Sequence, residues 1–194
     1  MFETLNHIDT NIFLFLNGLH TPFWDVVMWW ASEKLTWIPL YALVLWLLLK
    51  QNPGKVWLLL LMIVLLVLIS DQAANLSKYV LARPRPSHEP ALRGMVHLVR
   101  NYAGGNFSFY SAHASSSFAV AVFAICLSGK RYKWLIPVML VYAILVSYSR
   151  IYLGVHYPGD VVTGAVIGLI IGYGISRFFL HFSNHWPIKI TIQN

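Results

Sequence analysis

Charge is scarce in this chain. Only 11% of its 194 residues are Asp, Glu, Lys or Arg, against 58% hydrophobic residues, and mean hydropathy is +0.62. That balance excludes an ordinary soluble domain of this size. Acids are scarcer still, with seven Asp and Glu against fourteen Lys and Arg. The bases are scattered between apolar runs, which points to anionic lipid or phosphate and away from nucleic acid. Cysteine occurs once, as Cys126, so an internal disulfide is excluded. There is no Walker-type lysine loop, no internal repeat and no second soluble domain. The eight histidines are dispersed, without metal-ligand spacing. No basic n-region precedes the first apolar residues, so no cleavable signal is expected and the polytopic body should target itself.

Long apolar runs and aromatic residues are what the chain has in excess. Eight Trp and ten Tyr suit the half-wet belts at a membrane surface. Residues 8–19 place Ile8, Ile12, Phe15, Leu16 and Leu19 at helical spacing, too short to span. Residues 22–32 form a second short, tryptophan-rich segment. Either could lie in the interface or simply pack on the body. Spans are expected over Leu35–Leu49, from Val56 to about Lys78, and over about 113–128, 134–149 and 158–181. The fold class is therefore all-α, a polytopic membrane helical bundle of about five transmembrane helices with interfacial helices before them. Between the second and third spans lies a long polar insert, 83–111, whose middle, Pro90–Val99, could be a short helix.

Crossings alternate in direction. Counting from Leu35, the ends carrying Lys78 with Arg83–Pro86, Ser111 with His113, Arg150, and His156 with Asp160 all fall on one face. The opposite turns hold Lys50, Lys55, Lys130, Arg131 and Lys133 and no acid, which suits the cytoplasm. The polar face is therefore expected outside a cytoplasmic membrane. Asp71, Asn75 and Lys78 share one helical face. Asp71 and Asn75 either bond between helices or face a wet cavity.

Cations converging at a membrane edge make an anion site, and arginine's planar fork matches phosphate oxygens. Ser111, Ala112 and His113 open a helix, whose free amides favour phosphate. Charge neutralisation then falls to Lys and Arg rather than to a metal. A neutral His156 can attack phosphorus, with Asp160 four residues on to fix its tautomer. His113 can protonate the leaving oxygen.

These residues stand in three ordered stretches: Lys78 followed after six residues by Arg85-Pro86; Tyr110-Ser111-Ala112-His113; and Ser149-Arg150 with His156 and Asp160. The set resembles the type 2 phosphatidic acid phosphatase (PAP2) superfamily, which shares its site plan with vanadium haloperoxidases. The resemblance, carried by motifs between residues 78 and 160, implies a PAP2/haloperoxidase-like core; with the helical pattern it makes residues 1–182 one domain, with interfacial helices in 1–33 and an active-site loop at 83–111, followed by a tail at 183–194. It implies that His156 is the nucleophile, Asp160 its orienter and His113 the general acid. Lys78, Arg85, Ser111, Ala112 and Arg150 would hold the phosphoryl group, with no metal and no cofactor. Tyr110 and Ala112 depart from the family's proline and glycine, which bears on substrate preference more than on activity.

The function expected is a metal-independent membrane lipid phosphatase, acting through a phosphohistidine on undecaprenyl diphosphate or a lipid A phosphate. Phosphatidylglycerophosphate and phosphatidic acid are the alternative substrates. Vanadate-dependent haloperoxidation would keep the site and change the chemistry. A non-catalytic lipid-phosphate carrier is the alternative of another class, and it would need neither nucleophile nor acid. The expected partners are the lipid substrate and the bilayer, in a bacterial inner membrane.

Overall fold

The computed structural model describes residues 2–185, which form seven α-helices. They are α1 (Phe2–Gly18), α2 (Pro22–Ser32), α3 (Ile38–Gln51), α4 (Val56–Leu81), α5 (Ala112–Ser128), α6 (Leu135–Tyr152) and α7 (Pro158–His185). Among the described residues there is no named strand; a single antiparallel bridge pairs Pro84 with Phe107. The expected tail falls mostly on residues 186–194, outside the described residues.

Local chemistry sets the helix ends. Thr21 Oγ1 accepts from the Trp24 amide and Pro22 occupies the first turn of α2. Ser111 Oγ accepts from the Ala114 amide and opens α5. Helix α4 ends at Ala82, whose φ of 45° is left-handed, and Pro84 blocks continuation.

Helices α3 to α7 make the anticipated bundle. Three of them, α4, α6 and α7, are long and apolar enough to cross a bilayer. Helix α5 is a shorter apolar helix of 17 residues. Residues Pro22–Ser32 and Lys34–Gln51 would make one crossing only as a pair bent by 72°.

Helix α5 is the centre of the bundle, touching α3, α4, α6 and α7. Its buried face is built of small residues, including Ala114, Ala119, Ala121 and Ala124. Against it α7 presents Gly164, Gly168 and Gly172, four residues apart. A Cβ at Gly168 or Gly172 would run into the backbone of Ser115 or Ala119. Such small-residue contacts let two helices approach closely, where dispersion does the holding.

Helix α1 turns its apolar stripe outward. Ile8, Ile12, Phe15 and Leu19 are exposed, whereas Phe13 and Asn17 are buried. Asn17 is used fully: Nδ2 donates to the Tyr152 carbonyl at 2.8 Å and Oδ1 accepts from the His97 amide at 2.8 Å. This is the reverse of an amphipathic helix on a soluble core, and it suits an outer face in contact with lipid.

The expected helix over Pro90–Val99 is absent. Pro90–Leu92 makes one 3-10 turn and Val99–Asn101 another. Arg93 leaves the helical region and Gly94 follows at φ 81°, so the proline starts a turn that the next residues cannot continue. The insert is nevertheless tied down. The Ser108 amide donates to the Arg83 carbonyl at 2.8 Å and the Arg85 amide to the Asn106 carbonyl at 3.1 Å. Ser77 of α4 bonds both Phe109 O and Tyr110 N.

Candidate active site

One cavity of about 490 Å³ gathers Lys78, Arg85, Ala112, His113, Arg150 and His156 on its wall. These residues come from all three motif stretches, so the shared face expected from the crossing count is realised as a shared cavity. Ser111 and Asp160 stand behind this wall. The Ser111 amide donates to the Asp160 carbonyl at 3.0 Å, which fastens the start of α5 to the start of α7.

His156 lies in the connection between α6 and α7 and is 2% exposed. Its Nδ1 is 3.6 Å from Asp160 Oδ2, just beyond hydrogen-bond range. Its Nε2 is 3.4 Å from Arg85 Nη1. A guanidinium can only donate, so Nε2 accepts and the proton of the neutral ring belongs on Nδ1, toward the carboxylate. Burial pushes the imidazole down to about 4; Asp160 opposes this shift and Arg85 adds to it. At neutral pH the ring is therefore uncharged, with its lone pair beside the cations.

Asp160 is held from two sides. Oδ2 accepts from the Tyr157 amide at 2.9 Å and Oδ1 from Arg83 Nη1 at 2.9 Å. Arg83 in turn reaches Asp9 and Asn6 of α1 at 2.8 Å each, and lies over the Tyr157 ring at 3.9 Å. Asp9 Oδ1 also accepts from the Gly159 amide at 2.7 Å. Its two carboxylates hold the Arg83 guanidinium above its ordinary value, although burial pulls the other way. Sequence reasoning missed this set. Arg83 was visible as the first arginine of Arg83-Pro84-Arg85-Pro86, but nothing local tied Asp9 to it.

Arg85 is aimed by its backbone surroundings. Nε donates to the Phe107 carbonyl at 3.0 Å and Nη1 to the Val155 carbonyl at 3.2 Å. Burial and the nearby Arg150 lower its proton affinity, yet a guanidinium stays charged. Gly104, at φ 68°, passes so near that a Cβ would sit 2.7 Å from Arg85 Nη1. Arg150 is buried at the end of α6; it donates to Ser32 Oγ and, at 3.4 Å, to Tyr102 Oη. Ser32 and Tyr102 are two further partners that the sequence did not disclose.

The arrangement is asymmetric in chemistry. Cations and two imidazoles occupy one end of the cavity. Farther in, Leu45, Leu48, Ile63, Leu66, Val67, Val120 and Phe123 give the wall a mainly apolar character. Such a cavity accepts a molecule with an anionic head and an apolar body.

Comparison with known proteins agrees. The profile of the PAP2 superfamily matches residues 55–183. The chain is 44% identical to a lipid A 4'-phosphatase of Bacteroides thetaiotaomicron, over all of this chain and 83% of that protein. It is 30% identical to an undecaprenyl-diphosphatase of Sulfolobus acidocaldarius, over 96% of this chain and 80% of that protein. Among solved structures, LpxE of Aquifex aeolicus superposes with a TM-score of 0.67 at 27% identity, covering 87% of this chain and 94% of that one.

Proposed function

Because the chain belongs to the PAP2 superfamily and is a membrane lipid phosphatase, we propose that it removes a phosphate monoester from a lipid A-type glycolipid through a phosphohistidine on His156. The observation that carries this reading is the placement of His156. Its Nε2 faces Arg85 at the cationic end of a cavity whose far part is lined mainly by apolar side chains.

The substrate phosphate sits among Lys78, Arg85 and Arg150, whose charges offset its own. The first amides of α5, at Ala112 and His113, have no acceptor within the helix and point their dipole at the same charge. Ser111 contributes by capping that helix start. His156 Nε2 attacks phosphorus while the bond to the lipid oxygen breaks, and His113 gives that oxygen a proton. Asp160 stabilises the positive ring through Nδ1–H. Water then attacks the phosphohistidine, His113 takes its proton, the P–N bond breaks and orthophosphate leaves. Neutralisation by three cationic side chains calls for no metal.

The lipid A-type substrate is favoured by the 44% identity over the whole chain. We further propose that α1 and α2 lie in the membrane interface and that the site opens on the extracytoplasmic side of a bacterial inner membrane. The basic turn at Lys130, Arg131 and Lys133 supports that orientation. The test is phosphate release by purified protein from lipid A phosphate, undecaprenyl diphosphate, phosphatidylglycerophosphate and phosphatidic acid, with His156→Ala as control.

A further inference from the structure

Below its cations, the cavity wall does not become apolar at once. Helix α4 places Asp71, Asn75 and Lys78 on the wall, and α5 adds Ser116 and Ser117. Seven residues of helix put Asp71 ~10 Å from Lys78 along the axis. The Asp71 carboxylate is half satisfied by protein: Ser116 Oγ donates to Oδ1 at 3.2 Å, and among the described residues no donor meets Oδ2. Among the described residues no cation makes an ion pair with it, although it feels the charge of Lys78 on the same helix. Immediately beyond stand Ile63, Leu66, Val67 and Val120. The order along the wall is thus cations, then acceptors, then mainly hydrocarbon, with the hydroxyls of Tyr41 and Tyr142 bonded to each other.

Asp71 is half-buried, and an occupant that displaces water from its carboxylate without supplying hydrogen bonds makes it costly. A polyprenyl chain carries no N–H or O–H beside its phosphate, so it would set hydrocarbon against the open oxygen of Asp71. An amino sugar bearing amide-linked hydroxyacyl chains carries hydroxyl and amide N–H donors a few bonds from its phosphate, and hydrocarbon beyond them. Its donors and tails follow the order of the wall.

We infer that Asp71, assisted by Asn75 and Ser116, forms a subsite for the hydroxyl or amide N–H donors of an acylated amino-sugar phosphate, and that this subsite selects such lipids over polyprenyl diphosphates. The inference rests on the lipid phosphatase reading and names the part of the substrate recognised away from phosphorus. Sites that hydrogen-bond a substrate donor discriminate strongly against analogues lacking it, because the acceptor, once the bound lipid shuts out water, is left unpaired.

The test uses the full-length protein in mixed micelles. Wild type, Asp71→Leu, Asp71→Asn and Ser116→Ala are assayed on three substrates: a synthetic N-acylated glucosamine lipid 4-phosphate, its analogue with ester in place of amide and methyl ethers in place of hydroxyls, and undecaprenyl diphosphate. In wild type, removing the donors should cost roughly tenfold or more in kcat/KM, mostly through KM. In Asp71→Leu the same change should cost almost nothing, and the preference over undecaprenyl diphosphate should fall by a similar factor. Asp71→Asn keeps one acceptor oxygen and should lie between. Should Asp71→Leu fail to fold, the Asn variant and the substrate pair still decide. Parallel loss on all three substrates would overturn the subsite and leave Asp71 as a fastening between α4 and α5. Phosphate release from none of them by wild type would overturn the phosphatase reading itself.

Discussion

Arg83 donates from Nη1 to Oδ1 of Asp160 at 2.9 Å, and so holds the carboxylate whose other oxygen faces His156. The same guanidinium reaches Asp9 on α1. A helix at the start of the chain is thereby joined to the orienter of the proposed nucleophile. Arg83→Ala should lower kcat by roughly 10–100-fold with a much smaller effect on KM, because it loosens orientation and leaves the phosphate cradle intact. Arg83→Lys should recover part of the loss, since one point charge cannot make both contacts. Steady-state kinetics on the glycolipid phosphate checks both.

Asp9→Asn should give a milder loss of kcat in the same direction. It keeps one acceptor oxygen, enough for Arg83 or the Gly159 amide but not both, and drops the charge that offsets the guanidinium. An unchanged kcat in Asp9→Asn and Asp9→Ala alike would show that α1 does not support the site.

Protonation of His156 sets a pH dependence of stability. The folded ring titrates near 4, against about 6.5 unfolded. Between those values the unfolded chain binds more protons, so stability rises with pH in that window. The contribution is fully present above 6.5 and is lost as pH falls through 4, a change of about 3 kcal/mol. His156→Gln should lack it. Thermal unfolding in detergent should therefore show wild type losing stability relative to His156→Gln between pH 7 and pH 4.5.

Helix α7 tolerates no side chain where it crosses α5. Gly168→Val should destabilise by about 1–3 kcal/mol or more, because the added atoms meet the Ser115 backbone. Gly174 has open space around its Cβ position, and Gly174→Ala should be neutral or stabilising in an exposed helix position. The two midpoints of thermal unfolding, compared with wild type, make the check.

Much of this was legible in one dimension. The spans of α4, α6 and α7 announce themselves as long apolar runs, and the parity of crossings alone puts Lys78, Arg85, His113, Arg150 and His156 on one face. The residues that hold these groups were not legible. Asp9, Ser32 and Tyr102 act on partners 74, 118 and 48 positions away, and no local pattern encodes such a pairing. Ser111 reads as a phosphate contact from its motif; the sequence did not disclose that its amide donates to the Asp160 carbonyl while its Oγ accepts from the Ala114 amide. In 90–99 the proline signals a helix start, and the backbone at Arg93 and Gly94 overrides it. The outward stripe of α1 was legible as a stripe, while the side it faces depends on whether lipid or protein lies beyond.

The central claim is that His156 carries the phosphoryl group during turnover. Rapid acid-free quenching of the enzyme with a lipid labelled in its phosphate measures this directly. The account predicts a base-stable, acid-labile label on the wild-type protein that maps to His156, forms in the presence of EDTA, and is absent from His156→Ala together with phosphate release. Turnover at near wild-type rate by folded His156→Ala, or a label that maps to another residue, would contradict it.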